Sequence, residues 1–282
     1  MISFTKMHGT QNDFIVIDCT KNYFEYDYKI LSEFLCNRNL SIGADGVIYL
    51  LKSEKAKYKM RIFNKDGSEA EMCGNGIRCI AKYIYEKKEK KEKFCIETKA
   101  GIRQIGINLE NNKVKDVSVN MGKIILEPSK IPVFLPFKND SKTINCVNIK
   151  IEEKEFEFYV VSIGNPHAVC FVSNTDDIDV KKYGSIIENH KYFPQKTNVE
   201  FVEIIEKNNI KVRVWERGVG ETSSCGTGAS CSAYVAIKKF NLKDNINVNL
   251  KGGNLKVYLN EEDEVILTGT AEIAFEGNIN NI

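Results

Sequence analysis

The stretch Tyr58-Lys59-Met60-Arg61-Ile62-Phe63-Asn64 alternates apolar with basic residues and runs on into Cys73-Gly74-Asn75-Gly76. Alternation at period two marks a half-buried strand. At an offset of 152 positions the pattern returns as Ile210-Lys211-Val212-Arg213-Val214-Trp215-Glu216, followed by Cys225-Gly226-Thr227-Gly228. Aligned without gaps, residues 59–101 and 211–253 share Lys59/Lys211, Arg61/Arg213, Glu69/Glu221, Cys73/Cys225, Gly74/Gly226, Gly76/Gly228, Cys79/Cys231, Ala81/Ala233, Lys87/Lys239, Lys99/Lys251 and Gly101/Gly253. These are eleven of the identities in the 43 columns. Apolar columns agree as well, as in Met60/Val212, Ile62/Val214 and Ile96/Val248. With a slip of one residue, Asn12 falls against Asn165. The chain reads as two versions of one unit.

Each unit runs strand, loop, helix, strand. Period two sets Asn64 on the face of Met60 and Ile62, and Glu216 on that of Val212 and Val214, so both polar side chains are expected to turn inward. Residues 65–68 and 217–220 carry turn chemistry. The apolar stretches 77–85 and 229–237 show no polar stripe at helical period, which predicts buried helices. Residues 14–17, 47–51, 156–161 and 265–268 read as strands, and the mixed-charge run 87–93 as a solvated helix end. The fold class expected is α+β: two pseudo-symmetric domains, each a mostly antiparallel β-sheet or barrel wrapped around a central buried helix.

Composition removes several function classes. Among 282 residues, 40 Lys+Arg oppose 38 Asp+Glu, a formal charge of +2, without the basic face that nucleic acid requires. No apolar run approaches the roughly 20 residues of a membrane span, and the start of the chain lacks the layout of a signal peptide. Nine cysteines stand at 19, 36, 73, 79, 95, 146, 170, 225 and 231. An odd number, with no C-x-x-C pair and only three histidines, argues for a reducing cytoplasm and against a disulfide framework or a metal site. Most are expected to be small buried hydrophobes.

Cys73 and Cys225 stand apart from that expectation. A helix N-terminus offers unpaired N–H groups and the positive end of the dipole, which favours a reactive thiolate. The glycines that follow let an anion approach the backbone closely. Neither loop continues into Gly-Lys-Ser/Thr, so a phosphate loop is a poor fit. Two equivalent mouths suit stereoinversion at carbon, where a base removes a proton from one face and an acid delivers one to the other. Helix N–H groups would then clamp the carboxylate of an amino acid and stabilise the charge that develops on it. Cys79 and Cys231, six residues on, are expected to be inert packing.

The segments Lys6-Met7-His8-Gly9, Asn12-Asp13-Phe14, residues 61–69 leading into Cys73-Gly74-Asn75-Gly76-Ile77-Arg78-Cys79, Gly164-Asn165-Pro166-His167, Asn198-Val199-Glu200-Phe201 and residues 215–222 leading into Cys225-Gly226-Thr227-Gly228 jointly resemble the diaminopimelate epimerase family. They stand in family order over nearly the whole chain. The resemblance implies a cofactor-independent amino-acid epimerase that interconverts LL- and meso-diaminopimelate in lysine and peptidoglycan precursor synthesis. It implies Cys73 and Cys225 as catalytic thiols, with Glu216 near one and His167 near the other. It places the α-carboxylate on N–H groups around Gly74, Asn75, Gly226 and Thr227. Asn12, Asn64, Asn165, Asn198 and Arg217 would bind the substrate's polar ends, Arg217 taking the distal carboxylate, and Glu216 would hold the ammonium group. Domains of residues 1–120 and 121–270 are expected, with 271–282 returning to the first. A homodimer is implied by the resemblance alone.

Two positions depart from the family pattern. Thr10-Gln11 stands before Asn12 where many members have a glycine, and Gly46 stands where some members place a glutamine contact. The rival readings are a racemase of another amino acid, for which a buried Arg217 has little use, and a non-enzymatic small-anion binder, for which the thiols would be dispensable.

Overall fold

A computed structural model describes residues 1–21, 26–136 and 143–280. The chain divides into two compact units, Met1–Asn120 with Thr268–Ile282, and Met121–Leu267. Residues 281–282, which end the segment expected to return to the first domain, lie outside the described residues.

Unit 1 contains β1 (Ile2–Gly9), β2 (Asn12–Asp18), α1 (Tyr28–Cys36), β3 (Gly46–Lys52), β4 (Tyr58–Asn64), β5 (Glu69–Ala70), α2 (Gly74–Lys87), β6 (Lys93–Thr98), β7 (Gly101–Glu110) and β8 (Lys113–Lys123). Unit 2 contains β9 (Asn145–Ile151), β10 (Lys154–Ser162), β11 (Pro166–Phe171), a 3-10 turn (Thr175–Asp177), α3 (Val180–Glu188), β12 (Asn198–Glu206), β13 (Asn209–Glu216), β14 (Gly220–Thr222), α4 (Gly226–Phe240), β15 (Asn245–Leu250), β16 (Gly253–Leu259) and β17 (Glu264–Gly269). The last strand, β18 (Glu272–Ile279), pairs antiparallel with β1, so unit 1 gains from the end of the chain what β9 supplies to β10 in unit 2.

Pairing is the same in both units. In unit 1 β1–β2 is antiparallel, β2–β3 parallel, β3–β4 antiparallel, β4–β6 parallel and β6–β7 antiparallel. In unit 2 the pairs β10–β11, β11–β12, β12–β13, β13–β15 and β15–β16 repeat that series. The expected α+β class, built twice, is what the chain adopts. Register explains the slip of one residue: Phe14 lies opposite Gly46, and His167 opposite Asn198, so the connection from β11 to β12 is one residue shorter than its counterpart. The repeated Arg61/Arg213 and Glu69/Glu221 are an ion pair in each unit, at 2.7 Å and 2.8 Å. Gly101 and Gly253 each take a positive φ at the turn between the paired strands, where any side chain is strained.

The sheets enclose the two central helices. Helix α2 packs against β1, β2, β3, β4, β7 and β18, and α4 against β10 to β13, β15 and β16. Ile77, Ile80 and Ile84 of α2, and Ala229, Ala233 and Val235 of α4, are buried. Full burial contributes roughly 1.5–3 kcal/mol for each large aliphatic side chain. The reading of α2 as free of a polar stripe needs correction. Arg78, Lys82 and Glu86 recur at i, i+4 and i+8, and the first two are buried because partners on neighbouring segments satisfy them, Glu272 meeting Lys82 at 2.7 Å. Helices α1 and α3 form a second layer outside the sheets and also stand 152 residues apart. Gly184 lets α3 approach β13, since a Cβ there would lie 2.6 Å from Trp215.

Candidate functional site

Both cysteines singled out in the sequence are N-cap residues. Cys73 and Cys225 hold extended backbone, and their sulfurs accept from Gly76 N and Gly228 N at 3.5 Å and 3.4 Å. Each thiol thus stands over the first turn of a buried helix, facing its positive end. Cys79 and Cys231 are fully buried, and burial pushes both thiols up, Cys79 to about 12. They are inert by that measure.

Around Cys73, the Asn12 side chain is the hub. Its Oδ1 accepts from Asn75 Nδ2 at 3.3 Å and from the Cys73 thiol at 3.8 Å, and its Nδ2 donates to Asp45 at 2.8 Å. Asp45 in turn belongs to a charge network with Asp13, Lys6 and Arg38. Burial by itself raises the Asp13 carboxyl, but hydrogen bonds from Arg38 and Lys6 overcome it and hold the group at about 2. The mouth is lined by apolar Ile62 and Ile48, both within 3.2 Å of where a Cβ on Gly76 would stand. Gly46 is equally confined: a Cβ there would meet Phe63 O at 2.7 Å, so a larger residue does not fit this backbone.

Around Cys225 the same places carry charge. Asn165, the counterpart of Asn12, donates to Thr227 Oγ1 at 3.3 Å, and Thr227 lies 3.3 Å from the Cys225 sulfur. The Asn165 Oδ1 lies 3.0 Å from His167 Nε2, while His167 Nδ1 lies 2.7 Å from Glu200 Oε1. His167 and Glu200 are fully buried. A Cβ on Gly228 would meet Glu200 Oε1 at 2.6 Å, so only glycine fits over that carboxylate. Glu216 accepts from Thr222 Oγ1 at 2.5 Å. Burial raises its carboxyl above the usual range despite hydrogen bonds from Thr222 and Cys225. Burial first, then Glu216 and Glu200, pushes the Cys225 thiol well up.

The remaining expected residues divide. Asn198 is buried and occupied with backbone: it donates to Pro166 O at 2.9 Å and accepts from Arg217 N at 2.9 Å. Arg217 itself is exposed, bonded to Gln195 O at 3.1 Å. Glu216 is half-buried, as period two required, whereas Asn64 is exposed and donates to Ser68 Oγ at 3.0 Å. The strand ends at Asn64, and a turn polar group reaches it before the core does. The family resemblance implies Glu216 by one thiol and His167 by the other; within unit 2, both are tied to the Cys225 helix. Glu200 and Arg78 look like ordinary charged residues in the sequence, and only their complete burial marks them out. The signal for Glu200 was a lone carboxylate in the apolar run Val199-Glu200-Phe201-Val202.

A family model described as diaminopimelate epimerase matches residues 4–127 and 159–274. The chain is 44% identical over 280 residues to the diaminopimelate epimerase of Methanococcus maripaludis, with 99% of each chain covered. It is 47% identical over 281 residues to that of Brachyspira hyodysenteriae, again covering 99% of each. A crystal structure of a probable proline racemase from Agrobacterium radiobacter K84 has the same fold, with a TM-score of 0.72 at 14% identity, over 99% of this chain and 93% of that one. Among the described residues, no helix is long and apolar enough to cross a membrane.

Proposed function

The chain belongs to the diaminopimelate epimerase family, and from that membership we propose that it interconverts LL- and meso-2,6-diaminopimelate without a cofactor, Cys73 and Cys225 acting as the two acid–base thiols. One thiolate removes the α-proton: the Cα–H bond breaks, an S–H bond forms, and the electron pair moves into the carboxylate as an enediolate. The second thiol gives its proton to the opposite face and is left as thiolate. The reverse reaction exchanges the roles.

The polar groups serve that transfer. N–H groups at Gly74, Asn75, Gly226 and Thr227 hold the α-carboxylate and stabilise the charge that grows on it, an effect worth about 3–4 kcal/mol per well-placed donor. Glu216 takes the substrate ammonium, and the exposed Arg217 fork takes the distal carboxylate. Asn12, Asn64 and Asn165 complete the polar contacts, Asn198 fixes the backbone of Arg217 in place, and His167 tunes the charge beside Cys225. Two free thiols working as a pair suit a reducing cytoplasm, and the meso product suits lysine and peptidoglycan precursor synthesis.

The observation that carries the proposal is a cysteine N-cap on a glycine-opened buried helix, at the same place in both units. The test is to incubate the reduced protein with LL-diaminopimelate in deuterated water and follow the α-hydrogen. Incorporation of deuterium together with the appearance of meso product is expected. No exchange under reducing conditions overturns the assignment.

A further inference from the structure

Arg78, in the second turn of α2, is fully buried. It donates through Nη1 to Gly74 O at 2.8 Å, through Nε to Thr270 O at 3.3 Å, and through Nη2 to Thr10 Oγ1 at 3.2 Å and Asn75 Oδ1 at 3.0 Å. Among the described residues, no carboxylate pairs with it. Burying a cation without a counter-ion is costly, so a cation kept in such a place has to be explained by what its geometry holds.

The bonds converge on the Cys73 thiol. With its Oδ1 fixed by Arg78 and Thr10, the Asn75 amide can only turn Nδ2 outward, where it donates to Asn12 Oδ1. That same oxygen faces the Cys73 sulfur. Thr10 belongs to the two-residue turn that delivers Asn12, and both turn residues hold left-handed backbone, with φ of 49° at Thr10 and 62° at Gln11. A β-branched residue is strained in that conformation; here its hydroxyl accepts from the guanidinium and donates to Asn75. In unit 2 Ser230 stands at the matching position and donates to Gly226 O at 2.9 Å.

We propose that Arg78 is a positioning residue for the Cys73 thiol, its five-donor fork fixing the side chain of Asn75 and the Thr10 turn so that Asn12 is held against the sulfur. Lysine cannot reproduce a planar fork with four acceptors around it. The role rests on the epimerase activity proposed above, and acts on the reacting group more than on substrate capture by backbone N–H groups.

The test compares wild type, Arg78→Lys, Asn75→Ala and the double variant by α-hydrogen exchange of LL-diaminopimelate in deuterated water, with thermal melting of each. Arg78→Lys is expected to lose about 10- to 100-fold in kcat with KM changed less than about threefold, the range seen when the support of a working group is removed. In the Asn75→Ala background the same substitution is expected to cost at least about threefold less than in the wild type, because the Asn75 amide, one of the two groups through which it acts, is gone and only the Thr10 turn remains. Exchange by the wild type with Arg78→Lys unchanged, or an equal loss in both backgrounds, overturns the role of Arg78. A lowered Tm with unchanged kcat does the same, since it leaves a structural part only. No exchange by the wild type overturns the epimerase assignment itself, and Arg78's role in it.

Discussion

The two helix mouths share one backbone and differ in what lies beneath them. Under Cys73 the wall is apolar, with Ile48 and Ile62 at the glycine turn, and Arg78 is buried in the second turn of the helix. Under Cys225 the position of Ile48 is taken by Glu200, that of Phe14 by His167, that of Asn64 by Glu216 and that of Arg78 by Ser230. A duplicated scaffold has therefore kept the thiol, the N-cap and the hairpin asparagine, and given the two thiols different polar surroundings. Backbone geometry is what a repeat copies, because strand register and helix placement depend on many residues at once. The charge beside a thiol depends on one or two side chains and changes without disturbing the fold.

If the thiols are equal partners in spite of that difference, each is needed once per turnover. Cys73→Ala and Cys225→Ala are each expected to lower kcat/KM at least about 10³-fold, read as the rate of conversion of LL to meso substrate, with Tm close to wild type. Inversion surviving at a tenth of the normal rate in either variant would break the symmetry of roles.

Substitution at one matching position is expected to have different consequences in the two units. Glu200→Gln leaves His167 Nδ1 without its carboxylate acceptor, and about 10- to 100-fold of kcat is expected to go with it. Ile48→Gln puts an amide into a sealed apolar wall, where about 1–3 kcal/mol of stability is lost, visible as a lowered Tm. Equal effects of the two substitutions on kcat would show that the carboxylate under Cys225 has no special part.

Thiol reactivity sharpens the contrast further. Cys73 is half-buried, whereas Cys225 is buried and raised by its own burial and by the carboxylates of Glu216 and Glu200. A raised thiol is ionised only at higher pH, so at pH 7 Cys73 is expected to be alkylated by iodoacetamide at least about tenfold faster. Peptide mapping distinguishes the two from the exposed Cys95. Faster modification of Cys225 would contradict the electrostatics.

The smallest effect concerns the hairpins. Unit 1 turns through Thr10 and Gln11 in left-handed backbone; unit 2 turns through residues 163–165, with a glycine, Gly164, at the positive φ. Gln11 is exposed, so Gln11→Gly relieves strain and gives up chain entropy, a net gain of roughly 0.5 kcal/mol. A rise in Tm of about 1–2 °C is the expected reading. A fall would show that the Gln11 side chain contributes more than the turn costs.

Much of this molecule was legible in residue order. Period-two alternation located β4 and β13, and the cysteine-glycine runs located the first turns of α2 and α4, because those signals are local. Helices α1 and α3 were missed: each is short, lies outside the sheets and carries no glycine or proline signature at its start, only the N-caps Asp27 and Asp179. The inward turn expected of Asn64 failed since alternation says which face a residue shares, and not where the core stops.

Residue order alone carries the doubling of one unit, the placement of two cysteines at equivalent helix starts, and the family resemblance. Those follow from spacing, which the backbone translates directly into strand, turn and helix. The packing of distant segments is what buries Arg78 and Glu200, occupies Asn198 with backbone, and sets different polar groups beside the two thiols. The meaning of a charged side chain is set by how much water it keeps and what faces it, and both come from segments far away in the chain.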